Sequence, residues 1–281
     1  MARATVTGRR HRGSNAGAYV FLTVGCFVML APFVYQLLSS FMTHSEMTAM
    51  PPAIWPSEWR VDAYVEVFQR LPFLTQMGNS LLFASIRTLS QVVFCSLAGY
   101  AFARMSFRGK NAIFAVFMAM LIVPSALLLI PQYQIVQGLG WLNTVQGVVA
   151  PDLVAVFGTF LMRQFFLSMP KELEEAARID GAGPLRTFVS IMMPLAVPGM
   201  SAVAIIQFIA AWGDLLWPLV VTTQDVRMPL AVGLTTLQGE PTLDYPVLMA
   251  ASLLASLPVI VFFLVMQRRV IDGLAHSGLK G

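Results

Sequence analysis

Charge is what this chain has least of. Only 11% of its 281 residues are Asp, Glu, Lys or Arg, 57% are hydrophobic, and the mean hydropathy is +0.72. A soluble domain carries roughly twice that charged share, so the composition excludes an ordinary soluble fold and predicts a polytopic membrane protein. Cysteine is almost missing as well. Cys26 and Cys95 both lie inside apolar segments, which excludes a disulfide framework. His11, His44 and His276 fall in tail or loop positions, and no His/Cys/Asp cluster has metal-ligand spacing. No glycine-rich phosphate loop of the form GxxxxGK[ST] occurs, so the chain is not expected to hydrolyse ATP. The formal charge of +4 comes from basic residues scattered singly at segment ends, which argues against nucleic acid as a partner.

What the chain has in abundance is apolar runs of spanning length. Residues 18–41, 76–103, 111–130, 147–167, 195–221 and 246–266 each approach the roughly 20 residues that cross a bilayer core. The fold class expected is all-α: a polytopic membrane bundle of six transmembrane helices over 18–266, with tails at 1–17 and 267–281. The Arg9-Arg10 pair suggests an export signal, but the apolar run after it exceeds a signal-peptide core and no small-x-small site closes it. Residues 43–75 hold Pro51-Pro52, Trp55-Pro56, Trp59 and Tyr64, the composition of a folded loop near the membrane interface. Six spans put both termini on one side. A cytosolic N-terminus leaves fourteen of the 18 Lys and Arg inside, Arg60, Arg70 and Arg227 outside, and Arg87 within a span. The positive-inside rule therefore predicts cytosolic N- and C-termini.

One polar island interrupts the pattern between the fourth and fifth spans. Residues 168–194 contain Lys171, Glu172, Glu174, Glu175, Arg178, Asp180 and Arg186, while the runs on either side have almost no charge. Ser168 and Pro170 predict a helix start, Asp180-Gly181 its stop, and Gly183-Pro184 a second start. Leu185, Phe188, Ile191 and Met192 then repeat at helical spacing until Pro194 and Pro198. The small residues Ala176 and Ala177 are expected to let another surface approach closely.

Glu175-Ala176-Ala177, Gly181 after three intervening residues, Ile191 and Pro194 resemble the EAA loop of permease subunits of bacterial ABC importers. The fuller run EAARIDGAGPLRTFVSIMMPLAVPG is similar to the carbohydrate-uptake, maltose-type branch, with Met193 where the general pattern prefers Leu. The C-terminal Gln-Arg-Arg, Gly-Leu and Lys-Gly resemble that family's ending. The resemblance implies a bacterial inner-membrane permease subunit moving a carbohydrate by ATP-driven alternating access. It implies as partners an ATPase dimer that carries the ATP and Mg, a second permease subunit, and an extracytoplasmic sugar-binding protein, all within membrane lipid. Glu172, Glu175, Ala176, Ala177, Asp180, Gly181 and Pro194 are the coupling residues it implies.

Ionisable groups at membrane depth cost roughly 2.5 to 3.5 kcal/mol even on lenient scales, so each one needs a reason. Asp214 lies in WGDLLWP, which resembles the family's Trp-Asn-Asp/Glu-x-x-Trp-Pro with Gly213 in place of Asn. As a pathway site, Asp214 accepts hydrogen bonds from sugar hydroxyls while Trp212 or Trp217 packs on a pyranose face. As a structural group, it makes an interhelical hydrogen bond to the partner subunit or caps a break above Pro218. Gln207, seven residues earlier, is expected on the same helical face as Asp214. Asn79, next to Ser80, is a pathway candidate for which a helix cap is the favoured alternative. Arg87 reads as snorkelling or paired within the bundle. An ion-coupled secondary carrier would need more intramembrane acids, and a scaffold protein would not need Asp214.

Overall fold

A computed structural model describes residues 16–239 and 244–277, with side chains over 17–239 and 244–267. The predicted N-terminal tail lies largely outside those residues, whereas residues 267–277 of the predicted C-terminal tail lie within the last helix. Among the described residues every regular element is helical. Three helices are long and apolar enough to cross a membrane unaided: α1 (Ala16–Ser39), α4 (Phe73–Arg104) and α15 (Tyr245–Ser277). Before α4 come two short helices, α2 (His44–Thr48) and α3 (Asp62–Arg70).

The remaining spans are broken. In the third, α5 (Lys110–Ala119) and a short 3-10 turn meet the segment Ser125–Gly138, which contains α6 (Leu129–Gly138), at 95°. In the fourth, the segment Val145–Asp152, beginning with α7 (Val145–Val149), meets α8 (Val156–Ser168) at 46°. After α9 (Glu172–Ile179), α10 (Pro184–Thr187) runs through a π turn into α11 (Met193–Leu195), and this segment meets α12 (Val197–Trp212) at 73°. With each bent pair taken as one span the total is six, as the apolar runs predict. The predicted fifth span, 195–221, is itself interrupted: α12 stops at Trp212 and α13 (Leu216–Val221) follows. α14 (Leu230–Gln238) then leads towards α15, which stays helical past Met266 to Ser277. Irregular backbone at membrane depth is tolerated only where protein covers it or where it lines an aqueous cavity. The breaks are therefore where a site is to be sought.

α4 is the axis of the bundle. It contributes Phe73 to a core with α3, α14 and α15, Phe83 to a second with α7 and α13, and Cys95 and Tyr100 to a third with α8, Phe188, Met192 and Val203. At 32 residues it is about 48 Å long, well beyond a hydrocarbon core of about 30 Å. Both its ends therefore reach polar surroundings. Gly99 allows its closest approach to α8, since a Cβ there would lie 2.7 Å from Met162 Cβ and 2.8 Å from the Arg163 amide nitrogen. α1 behaves differently: its apolar side chains stay exposed along nearly the whole helix, and burial begins only near Leu38.

The segment between α1 and α4 is folded, as its aromatics and prolines predict. Phe41, Trp55, Trp59 and Tyr64 form a chain of rings with centroids 5.3 to 5.7 Å apart. Thr43 and Glu46 form a reciprocal capping box at the start of α2, and Glu46 also accepts from the Ser57 amide (2.9 Å) and the Ser57 hydroxyl. The Ser57 hydroxyl first, and then the Thr43 amide, push the Glu46 carboxyl down to about 2 from its ordinary 4.5. A depressed carboxyl supports the fold above its unfolded value and loses that support as pH falls through the folded one. Titration of the Glu46 carboxyl carbon by NMR is expected to show a midpoint near 2 instead of 4.5, with the Thr43–Ser57 clasp intact at pH 4 and released only as pH approaches 2.

Candidate functional site

The two mid-bundle breaks each deliver an aspartate. Asp152 ends the 3-10 turn that follows α7, beside Pro151, and Asp214 lies in the non-helical link between α12 and α13. Both reach Arg87 on α4: Arg87 Nη2 is 2.8 Å from Asp152 Oδ2, and Nη1 donates to Asp214 Oδ2 at 2.7 Å. One helical turn along α4, the Gln91 amide donates to the Asp152 carbonyl, which ties down the backbone of the first break. The Arg87 side chain is 9% exposed and that of Asp214 19%, whereas that of Asp152 is 42% exposed. A cavity of about 450 Å³ opens beside the three charges, bounded also by Ser125, Leu129, Gln132 and Trp217. It is a partly enclosed chamber of mixed polar and apolar lining, able to exchange hydrogen bonds with a polyhydroxyl solute through carboxylate, guanidinium and amide groups.

Of the predicted pathway residues, the cavity gathers Asp214 and Trp217. The Trp217 indole is buried and its N–H donates to the Gly147 and Val148 carbonyls at 3.1 and 3.2 Å, so only part of the ring borders the chamber. Trp212 lies outside the cavity lining. It donates to the Ala255 carbonyl on α15 at 3.1 Å and stacks on Phe208. Gln207 also lies outside it, next to Gly158. The expectation that Gln207 and Asp214 share a face is corrected: the helix ends at Trp212, so helical phase does not carry to Asp214. Asn79 is well inside α4 and caps nothing on its own helix. Its amide donates to the Val226 and Met228 carbonyls at 2.9 and 3.0 Å, while the Ser80 hydroxyl accepts from the Leu230 amide at the start of α14.

Sequence reasoning missed Asp152 and its pairing with Arg87. The signal was present: a Pro-Asp step inside an apolar run, with an unpaired cation in another span requiring a counter-charge.

The polar island forms a distinct helix, with its start displaced from the prediction. Ser168 ends α8 and donates to the Phe165 carbonyl, and α9 begins only at Glu172, after Pro170. Ala182 N–H bonds to the Ala177 carbonyl and Gly181 N–H to the Arg178 carbonyl, a Schellman closure with Gly181 at φ +76°. Gly181 is therefore required by the backbone conformation. Glu172, Glu175, Ala176, Ile179 and Asp180 are exposed, Ile179 at 86%. The expectation that Ala176 and Ala177 together face a visitor is corrected for Ala177, which is only 3% exposed and packs inward. Pro194 sits in α11, at the approach to the 73° bend.

Residues 91–272 match the family described as binding-protein-dependent transport system inner membrane component. This chain belongs to that family. The transport-system component is 33% identical over 92% of its length to the arabinooligosaccharides transport system permease protein AraQ of Halalkalibacterium halodurans, covering 96% of that protein. It is 30% identical to the trehalose/maltose transport system permease protein MalG of Thermococcus litoralis, over 93% of this chain and 97% of that one. It is 31% identical to the sn-glycerol-3-phosphate transport system permease protein UgpE of Salmonella typhi, over 95% and 98%. Its fold is similar to that of a chain in the crystal structure of a bacterial ABC transporter that imports the acidic polysaccharide alginate, with TM-score 0.79, 22% identity, and coverage of 95% of this chain and 99% of that one. The permease is thus an all-α inner-membrane subunit, with several apolar helices, of a binding-protein-dependent importer.

Removing one member of an enclosed ion network leaves the others uncompensated. Arg87→Ala is expected to lower the stability of the purified permease by about 2–3 kcal/mol, less than for a fully enclosed pair because the cavity admits water to both carboxylates. Asp152→Asn, which keeps the Arg87–Asp214 pair, should stay within about 1 kcal/mol. Thermal unfolding midpoints in detergent check the order of the two variants.

Proposed function

We propose that this permease moves a carbohydrate or sugar-derived solute through the Arg87–Asp152–Asp214 chamber, driven by ATP hydrolysed on a separate nucleotide-binding dimer that grips α9 from the cytosolic side. A second permease subunit completes the path, an extracytoplasmic sugar-binding protein delivers the solute, and both termini lie in the cytosol. ATP and Mg belong to the ATPase. The sugars named for AraQ and MalG support the substrate class, and the fourteen Lys and Arg assigned to the side of α9, against three on the other, support the orientation.

The observation that carries this reading is the shape of α9. A helix this short cannot hold itself in water, yet it is stopped by a Schellman closure, anchored through Ala177, and presents Glu175, Ala176 and Ile179 outward. Its first turn carries Glu172, Glu174 and Glu175, which complement the positive end of the helix dipole. The face is small, charged at one edge and apolar at Ile179, suited to a cleft on another protein. An ion-coupled carrier would use free acids along its path. Among the described residues the two acids in the mid-bundle breaks are Asp152 and Asp214, and both are paired with Arg87.

In alternating access, nucleotide-driven closure of the ATPase displaces α9, and the broken spans are the points where the bundle can bend. Asp214 and Asp152 then change their relation to Arg87 as the chamber opens to one side or the other, while solute hydroxyls replace water around the carboxylates. Glu175 is the polar contact to the ATPase, and Ala176 permits close approach. Ala176→Trp is expected to abolish co-purification of the ATPase with the tagged permease while leaving membrane yield and thermal midpoint unchanged. Retention of the ATPase at wild-type stoichiometry by that variant would show that α9 is not the docking element.

A further inference from the structure

Two routes connect α9 to the chamber, and they differ in stiffness. The chain route passes Gly181 at φ +76°, Gly183, the π turn Phe188–Met192, the 73° bend before α12, and the break at Gly213. Each of these is a place where displacement can be absorbed. The second route is lateral. Glu174 of α9 accepts from the Tyr100 hydroxyl at 2.8 Å and pairs with Arg104 Nη1 at 3.6 Å, both on the last turns of α4. Arg104 Nη2 also donates to the Phe166 and Met169 carbonyls at the end of α8, and its side chain is 5% exposed. From Tyr100, α4 runs unbroken for 13 residues, about 20 Å, to Arg87 and the two aspartates. Gly99 presses this stretch against the α8 backbone.

We propose that α4 is the rod that carries displacement of α9 to the chamber, with Glu174, Tyr100 and Arg104 as the clamp at one end and Arg87 as the grip at the other. Glu174 and Tyr100 are positioning residues: they touch neither ATP nor solute, and they fix the displacement of α9 to that of Arg87. This rests on the importer reading above. The neighbouring Glu175 faces outward and engages the ATPase, so adjacent glutamates divide the work between docking and transmission. A coupling claim of this kind needs a measured link between the two ends, beyond their position between two sites.

The test uses the whole importer in nanodiscs, with its ATPase, second permease and binding protein, and with exposed Cys26 replaced by Ser. Spin labels at Gln132→Cys and Leu216→Cys, on two different helices of the chamber lining, report its geometry before and after trapping with ATP and vanadate. In Tyr100→Phe and Glu174→Gln, ATP hydrolysis is expected to persist while the trapped distance change shrinks. Solute moved per ATP falls by about fivefold, within the coupling range such networks carry. Glu174→Asp should restore part of both. Two glycines inserted between Ala182 and Gly183 keep the Ala182–Ala177 closure of α9, lengthen the chain route alone and should leave the ratio unaltered. A full distance change with an unchanged ratio in both clamp variants overturns the rod, as does loss of coupling in the glycine insertion with the clamp variants normal. A wild-type importer with no nucleotide-driven change overturns the importer reading itself.

Discussion

A guanidinium at membrane depth has to be neutralised where it lies, and that constraint shapes the centre of this permease. Arg87 projects from the one long helix that enters all three cores, and its charge is met by carboxylates from two other spans. Neither carboxylate sits on a continuous helix. Each is released by a break, at Asp152 after Pro151 and at Asp214 between α12 and α13, so the ion network and the irregular backbone accompany each other. The breaks also leave peptide groups outside the helical ladder, and the chamber and the Gln91 side chain take up part of that requirement. A span that only had to cross lipid would need none of this.

The same economy of polar groups appears at both ends of α4. At one end Gln76, Asn79 and Ser80 hold the segment 225–230 through its backbone, and at the other Tyr100 and Arg104 hold α9 and the end of α8. Buried side chains of this kind cost free energy unless bonded, so they are poor lipid-facing filler and effective fasteners between elements. The helix is held at both ends and at its middle, and the elements fastened to it are the ones that contain bends.

Much of this was legible in the residue pattern, for identifiable reasons. The apolar runs gave the six spans because the cost of polar backbone in lipid leaves helices as the means of crossing. Gly181 marked the end of α9 because its backbone demands φ above zero, and the EAA spacing fixed which helix it ended. The break before α12 was legible at Pro194 and Pro198, where the helical repeat stops, but those at Pro124 and Pro151 were not, since both lie in runs whose hydropathy continues across them. Asp152 escaped for the same reason, and Ala177 was assigned outward because smallness suits both a docking face and a tight internal contact. Trp212 and Trp217 looked equivalent as sequence. Only the path of the chain decides that one indole bonds to α15 and the other borders the chamber.

Synthesis runs from the N-terminus, so the cation of the central network enters the membrane before either anion. The first counter-charge, Asp152, follows Arg87 by 65 residues, an interval of roughly 3 to 13 s at translation rates of about 5–20 residues per second. Over that interval α4 holds a lone positive charge worth about 2.5–3.5 kcal/mol against insertion, compensated by its own apolar length. α1, which later finds so little cover within the chain, faces no such wait: it is uncharged from end to end and can settle in the bilayer as soon as it is made.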